Sequence, residues 1–281
     1  MQDWMTALAS QYRQSRTRHP HDRLLVVFDI DGTILDMRYL VHHVLQWFDR
    51  AHDSHWFEHL TVADIDTHEN VISDLLVKLA VPAHTREDVM AWYYDHYWTS
   101  DAIANSHRPF DGVMQVIRWL QAQPNLFVGL NTGRFEAQRE ETLRSLNHLG
   151  ARYGAQFQNR LLYLRSNTWE RTIPESKVQG LRQFQALGYR PIAMLDNEPE
   201  NLAAVAAFDR GQTILPMHAD TLYLSDRALL PAHTVSGDTF NPVNLAYLGM
   251  APFRRWAAPI RCHGRSTPTV RQHEDRRDVS A

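Results

Sequence analysis

Cysteine, lysine and long apolar runs are what this sequence has least of, and each shortage excludes something. A single cysteine, Cys262, cannot close an internal disulfide, which excludes a disulfide-stapled secreted fold. No apolar run approaches the roughly 20 residues that a membrane-spanning helix needs. The first ten residues carry Asp3 and no long apolar stretch, which argues against a signal peptide, so a soluble, cytoplasmic protein is expected. With 12 glycines and 13 prolines in 281 residues, a collagen-like or mucin-like chain is also excluded. The 44% hydrophobic and 22% charged shares are those of an ordinary globular protein. The length suits one catalytic domain with an insert, or two modest domains.

Of 29 basic residues only Lys78 and Lys177 are lysines. Arginine serves most surface roles at least as well, so the two lysines that remain call for a reason. The net charge of -3 is unevenly spread. Residues 251–281 hold seven arginines against three acids, a local +4 that leaves the first 250 residues at -7. An acidic body is a poor platform for nucleic acid, and no such partner is expected, nor a membrane. The Arg-rich segment 250–281 has no apolar period and is expected to be a disordered tail.

What is present is a series of short apolar runs that end in polar residues. Leu24 to Phe28 runs into Asp29-Ile30-Asp31-Gly32-Thr33, and Leu126 to Leu130 into Asn131-Thr132-Gly133-Arg134. Ile192 to Leu195 ends at Asp196-Asn197. Thr213 to Met217 follows, with Leu161 to Leu164 as a weaker strand. Unbroken runs of this length suit strands buried on both faces of a parallel sheet. Helices are expected between them: Phe135 to Leu149 stopped by Gly150, Val178 to Leu187 capped by Ser176, and one from Pro199 to about Phe208. The alternation predicts an α/β chain with a Rossmann-like, doubly wound parallel sheet, whose ligands bind outside the carboxyl ends of the strands.

Residues 36–108 break the rhythm and read as helical. Val71, Ile72, Leu75, Leu76 and Leu79 share one helix face, and Thr85 with Asp88 resembles a capping box. The expected organisation is an N-terminal lead-in at 1–21, which can form a short helix through Trp4, Met5 and Leu8 ending before His19-Pro20, an α/β core at 22–35 and 109–249, and a helical insert at 36–108. Two carboxylates at the spacing of Asp29 and Asp31, where a strand gives way to a turn, can take different jobs: one attacks while the other manages protons. Gly32 permits the turn and close backbone approach to an anion. A second Asp-x-Asp, Asp64-Ile65-Asp66, follows no buried strand and is read as a solvated loop.

Taken together, these stretches resemble the haloacid dehalogenase superfamily, with its four motifs in order over roughly residues 22–220. They are Asp29-Ile30-Asp31-Gly32-Thr33, the strand-terminal Thr132, Lys177, and Asp196. The resemblance implies a phosphatase branch like the phosphoglycolate phosphatases, with the insert as a helical C1-type cap concerned with substrate choice. It implies Asp29 as nucleophile, Asp31 as acid and base, and Thr132, Lys177, Gly32 and Gly133 around the phosphoryl group. It also implies Mg²⁺ held by Asp29, Asp31 and Asp196, and a small phosphorylated metabolite as substrate. The true dehalogenases lack the second aspartate, so Asp31 argues against dehalogenation. At the fourth motif the family commonly carries a second aspartate where this chain has Asn197 and Glu200.

Three alternatives stay open at this level: a phosphomutase, a phosphonatase that uses Lys78 as a Schiff-base lysine, and a non-catalytic binding protein on the same scaffold. The cap histidines His42, His43, His52, His55, His59 and His68 show no zinc-ligand pattern and are read as packing or exposed residues. The cap aromatics Trp92, Tyr93, Tyr94, Tyr97 and Trp98 are read mostly as core, one or two of them facing the sheet edge.

Overall fold

Apolar alternation between two faces is what organises the core. In the strand β1 (Arg23–Phe28), Leu24, Val26 and Phe28 belong to one buried cluster and Leu25 and Val27 to another. Both faces of the strand are therefore covered, as a central parallel strand requires. The structure is a computed structural model and describes residues 3–168 and 171–246. The tail expected at 250–281 lies outside the described residues.

Before β1 comes α1 (Trp4–Arg18). After it come α2 (Arg38–His52), α3 (Ser73–Lys78), α4 (Ala83–His96), α5 (Ser100–Ser106) and α6 (Val113–Gln121). The chain then alternates: β2 (Leu126–Phe135), α7 (Arg139–Ala151), β3 (Leu162–Arg165), α8 (Ile173–Ala186), β4 (Tyr189–Asp196) and α9 (Pro199–Phe208). It closes with β5 (Leu215–Ala219), β6 (Val235–Gly237) and α10 (Pro242–Ala246). The six strands form one parallel sheet in the order β3-β2-β1-β4-β5-β6. α8 and α9 pack on one side, and α1, α6 and α10 on the other. The order reverses direction between β1 and β4, and a doubly wound sheet opens a crevice at such a point.

The helices α2 to α5 all lie between β1 and β2. The two connecting strands run side by side: Leu35 bridges to Asp31 and to Pro109, and the Asp36 N–H donates to the Arg108 carbonyl at 2.9 Å. The insert thus leaves and rejoins the sheet at one place, beside Asp31.

Several boundaries differ from the sequence expectation. The lead-in does not: it forms the short helix through Trp4, Met5 and Leu8 that ends before His19-Pro20, with Tyr12 on the same buried face of α1. Asp3 caps it by accepting from the Thr6 N–H. β2 runs on through Phe135, and its helix begins only at Arg139. Gly150 does not stop that helix; it allows the Ala155 carbonyl to come within 2.7 Å of where a Cβ would stand. α8 starts five residues earlier than expected, so Ser176 and Lys177 lie inside it rather than at its cap. Its cap is Thr172, paired with Glu175 in a reciprocal capping box. Thr85 is likewise inside α4, whose N-cap position is Pro82. β6 and α10 were not foreseen, since residues 220–246 carry no clear period.

Candidate active site

Lys177 gathers the site. One turn into α8, its buried ammonium contacts three oxygens from three elements: Asp29 Oδ1 after β1, the Asn131 carbonyl of β2 at 2.7 Å, and Asp196 Oδ2 at the end of β4 at 2.9 Å. A compact ammonium with three donors fits this convergence, and a planar guanidinium does not. That is the reason this lysine survives in an arginine-rich chain. Asn131 returns the contact, its Nδ2 donating to the Lys177 carbonyl at 2.7 Å. Gly180 makes room for it: a Cβ there would lie 2.6 Å from the Asn131 side chain. β2 and α8 are thereby locked together at the point where the chemistry converges.

Asp31, two residues on, has a different partner. Arg134 donates to it twice, Nε to Oδ2 at 2.8 Å and Nη2 to Oδ1 at 2.6 Å. The guanidinium also donates to Thr142 Oγ1 and faces the Trp98 ring at 4.8 Å. Burial alone would raise the Asp31 carboxyl, but Arg134 outweighs it and holds Asp31 low. His107 lies 3.3 Å from the same guanidinium. Burial and Arg134 push that imidazole down to about 3, so it is neutral and accepts from Arg134.

Asp29 goes the other way. Burial, with Asp196 and Asp31 adding negative charge, outweighs Lys177 and pushes its carboxyl up. Two carboxylates two residues apart are thus shifted in opposite directions: Arg134 prevails over burial at Asp31, and burial prevails over Lys177 at Asp29.

The motif-one turn is fixed from the far side. Gly32 has φ +76, the left-handed region, and a Cβ on it would stand 2.3 Å from Asn197 Nδ2. Asn197 itself donates to the Leu222 carbonyl, so its role is to pack the turn after β1 against the turn after β4. Glu200, also in question, is exposed at the cavity edge. The partner of Asp196 is Asn201, five residues on, whose Nδ2 donates to Oδ1 at 2.9 Å beside the Glu198 N–H. An amide stands where an aspartate was sought, and that substitution concealed it in the sequence.

These groups open onto a cavity of about 700 Å³, a size suited to a small metabolite. Asp29, Asp31, Gly133, Arg134 and Lys177 line it from the sheet edge, and Tyr97 and Trp98 from the insert. Thr132 is buried, and its hydroxyl accepts from the Arg134 N–H at 3.2 Å. Gly32 serves the turn and does not line the cavity.

Lys78 is far from this chemistry: its side chain is 57% exposed and pairs with Asp66 at 2.7 Å. The second Asp-x-Asp is the solvated loop expected of it, Asp64 closing a capping turn with Thr61. His68 is a correction, since it is neither packing nor exposed but lines the cavity. It stands between Glu69 and Glu198 with ring nitrogens 3.2 and 3.4 Å from their carboxylates. Sequence reasoning also missed Arg134, His107, Glu69 and Glu198. Arg134 was legible only as the residue after Thr132-Gly133, hidden among 27 arginines.

The donors fit a hard divalent cation. Apart from the Lys177 ammonium, Asp196 Oδ2 has no partner among the described residues. Among the described residues the carboxylates of Asp29, Asp31 and Asp196 face only Lys177 and Arg134 as cations. No three His, Cys, Asp or Glu side chains converge as a metal site among the described residues. The implied set needs two carboxylates and the Asp31 backbone carbonyl, an all-oxygen set of the kind Mg²⁺ takes.

No match is found among curated proteins. Among solved structures, a putative phosphatase from Clostridium difficile is 12% identical, covering 78% of this chain and 95% of its own, with a TM-score of 0.49. A putative beta-phosphoglucomutase from Thermotoga maritima is 17% identical, covering 76% and 93%, with a TM-score of 0.47. Likenesses this distant say nothing of chemistry. The model of the haloacid dehalogenase-like hydrolases, by contrast, matches residues 24–216, which run from β1 to the start of β5 with everything inserted between them. The chain belongs to the haloacid dehalogenase-like hydrolase family.

Proposed function

We propose that this hydrolase is a Mg²⁺-dependent phosphatase that cleaves a small-molecule phosphomonoester through an aspartyl-phosphate on Asp29. The observation that carries the reading is the division of labour between Asp29, bound to Lys177, and Asp31, clamped by Arg134. Asp29, Asp196 and the Asp31 carbonyl would hold Mg²⁺, which when bound neutralises charge between the nucleophile and the phosphoryl oxygens.

Asp29 attacks phosphorus in line, the ester P–O bond breaks, and the leaving alcohol takes its proton from Asp31. Asp31 then takes a proton from water as that water attacks phosphorus. The acyl phosphate opens, Asp29 is restored and inorganic phosphate leaves. Arg134 keeps Asp31 ionised, the state the second step uses. In the first step the phosphoryl dianion competes for the guanidinium, and Asp31 is freed to carry a proton. Lys177 has all three donors engaged, so a phosphoryl oxygen reaches it by replacing one of its oxygen partners. The insert of α2 to α5, entering beside Asp31, serves as the cap, with Tyr97 and Trp98 closing the cavity. The acidic, compact site suits a metabolite rather than nucleic acid or a membrane.

The phosphonatase alternative loses its lysine, because Lys78 is exposed and paired with Asp66. The test is phosphate release from a panel of aryl, sugar, nucleotide and two-carbon monoesters, with and without Mg²⁺. Turnover that needs the metal supports the reading, and none across the panel overturns it.

A further inference from the structure

Glu69 is buried, lines the cavity and, among the described residues, has no Lys or Arg partner, unlike Asp29, Asp31 and Asp196. Its residue is 7% exposed. Among the described residues its carboxylate meets its own backbone N–H and the His68 ring, Oε2 lying 3.2 Å from Nδ1. The Asn70 N–H also lies 3.1 Å from that nitrogen, so the His68 contact is shared and not dedicated to Glu69. Glu198, across the same imidazole, shows the contrast. It accepts from the Leu224 N–H at 2.8 Å, the Ser225 N–H at 3.0 Å and the Ser225 hydroxyl at 2.8 Å, and faces His68 Nε2 at 3.4 Å. Glu198 is a finished structural contact, Glu69 is not. A carboxylate has about four acceptor positions, and burying it with hardly a donor is unfavourable unless a ligand supplies one.

Placement says which part of a ligand that is. The phosphoryl end of the cavity holds the cations Lys177 and Arg134, whereas His68, Glu69 and Asn70 line it from the insert. A dianion is repelled from Glu69, and Asp31 lines the same cavity. Glu69 therefore faces the group that leaves, on the side where its oxygen would meet Asp31.

We propose that Glu69 is the acceptor of a specificity subsite for the alcohol part of the substrate, taking a hydroxyl or ammonium donor carried near the ester oxygen. This rests on the phosphomonoester reading above and narrows its substrates to esters of polyols or amino alcohols. Binding of inert phosphonates of equal size tests it apart from turnover, on the wild-type chain with Mg²⁺. The probes are 3-hydroxypropylphosphonate, 3-aminopropylphosphonate and butylphosphonate, measured by calorimetric titration.

The expected result is at least about tenfold tighter binding of one or both donor-bearing probes than of butylphosphonate, as for a site built to bond a polar group. Glu69→Leu should erase the advantage. Glu69→Gln, which keeps the shape and one acceptor, should spare the hydroxyl probe more than the ammonium probe, which tells the two sources apart. Equal binding of the three, an advantage that persists in Glu69→Leu, or no binding at all overturns the subsite. Monoesters hydrolysed without any donor preference among the phosphonates would sink Glu69 and leave the reaction standing. A preference without hydrolysis would do the reverse.

Discussion

At the scale of single residues, the site is a problem of holding three carboxylates together with two cations. Arg134 solves half of it by clamping Asp31 through two parallel bonds, a geometry that lysine cannot reproduce. Arg134→Lys keeps the charge and loses the fork. It should lower kcat by about 10- to 100-fold with the fold retained, because Asp31 is then free to turn away from the leaving group. Steady-state kinetics beside a melting curve checks this, and unchanged kcat would show the clamp to be structural only. Glu69 gives a second expectation. Burial first, and Asp31 with it, pushes this carboxyl from 4.5 up to about 7 against the pull of His68. A folded-state value above the unfolded one means that Glu69 weakens the fold progressively as pH rises through that window. His68, raised by its two glutamates against burial, adds stability that is also lost with rising pH. Glu69→Gln removes the first effect and weakens the second, so its melting temperature relative to wild type should climb between pH 5 and pH 8. A flat or falling difference would contradict this. The three motif aspartates and Lys177 were legible at this scale because a buried strand points at each aspartate and lysine is rare here. Arg134, Asn201 and Glu69 were not, because an abundant residue type, an amide in place of an acid, and a loop position carry no periodic signal.

Elements place these residues, and their ends matter more than their middles. Strand existence followed directly from unbroken apolar runs, since only a sheet covered on both faces buries every residue of Leu24 to Phe28. Helix starts were less legible. Ser176 looked like a cap, but the Thr172–Glu175 box and Pro174 start α8 a full turn earlier. Lys177 thus sits on a formed turn instead of a fraying end, pinned through Asn131 to β2. Thr172→Ala should cost about 1 kcal/mol and lower the melting temperature by about 2–4 °C. Glu175→Ala, which removes the other half of the box, should add less than its own separate cost, since the two share one interaction. Strictly additive melting shifts would argue against the box. The short β6 and the depth of α1's burial were hidden for a related reason: both are settled by packing partners outside the segment, β5 for β6, and Thr239 and β4 to β6 for Trp4 and its helix.

For the whole molecule, the decisive feature is where the sheet reverses. β1 and β4 are neighbours, so Asp29 and Asp196, 167 positions apart in the sequence, end adjacent strands of one crevice. β2 brings Asn131 and Arg134 from one side, and α8 brings Lys177 over the top. The insert between β1 and β2 returns beside Asp31 and carries His68, Glu69, Tyr97 and Trp98 to the same cavity. Architecture and the core of the site were therefore legible from strand ends alone. The identity of the cap residues was not, because it depends on which face of each insert helix turns to the sheet. The central claim is that Asp29 takes the phosphoryl group. The most direct measurement is Mg²⁺-supported hydrolysis of an aryl phosphate by the wild type and by Asp29→Asn, with a melting curve for each. Steady turnover by the wild type and a loss of at least about 10³-fold in a folded Asp29→Asn is the result the covalent route requires. Turnover near the wild-type rate in that variant would contradict it.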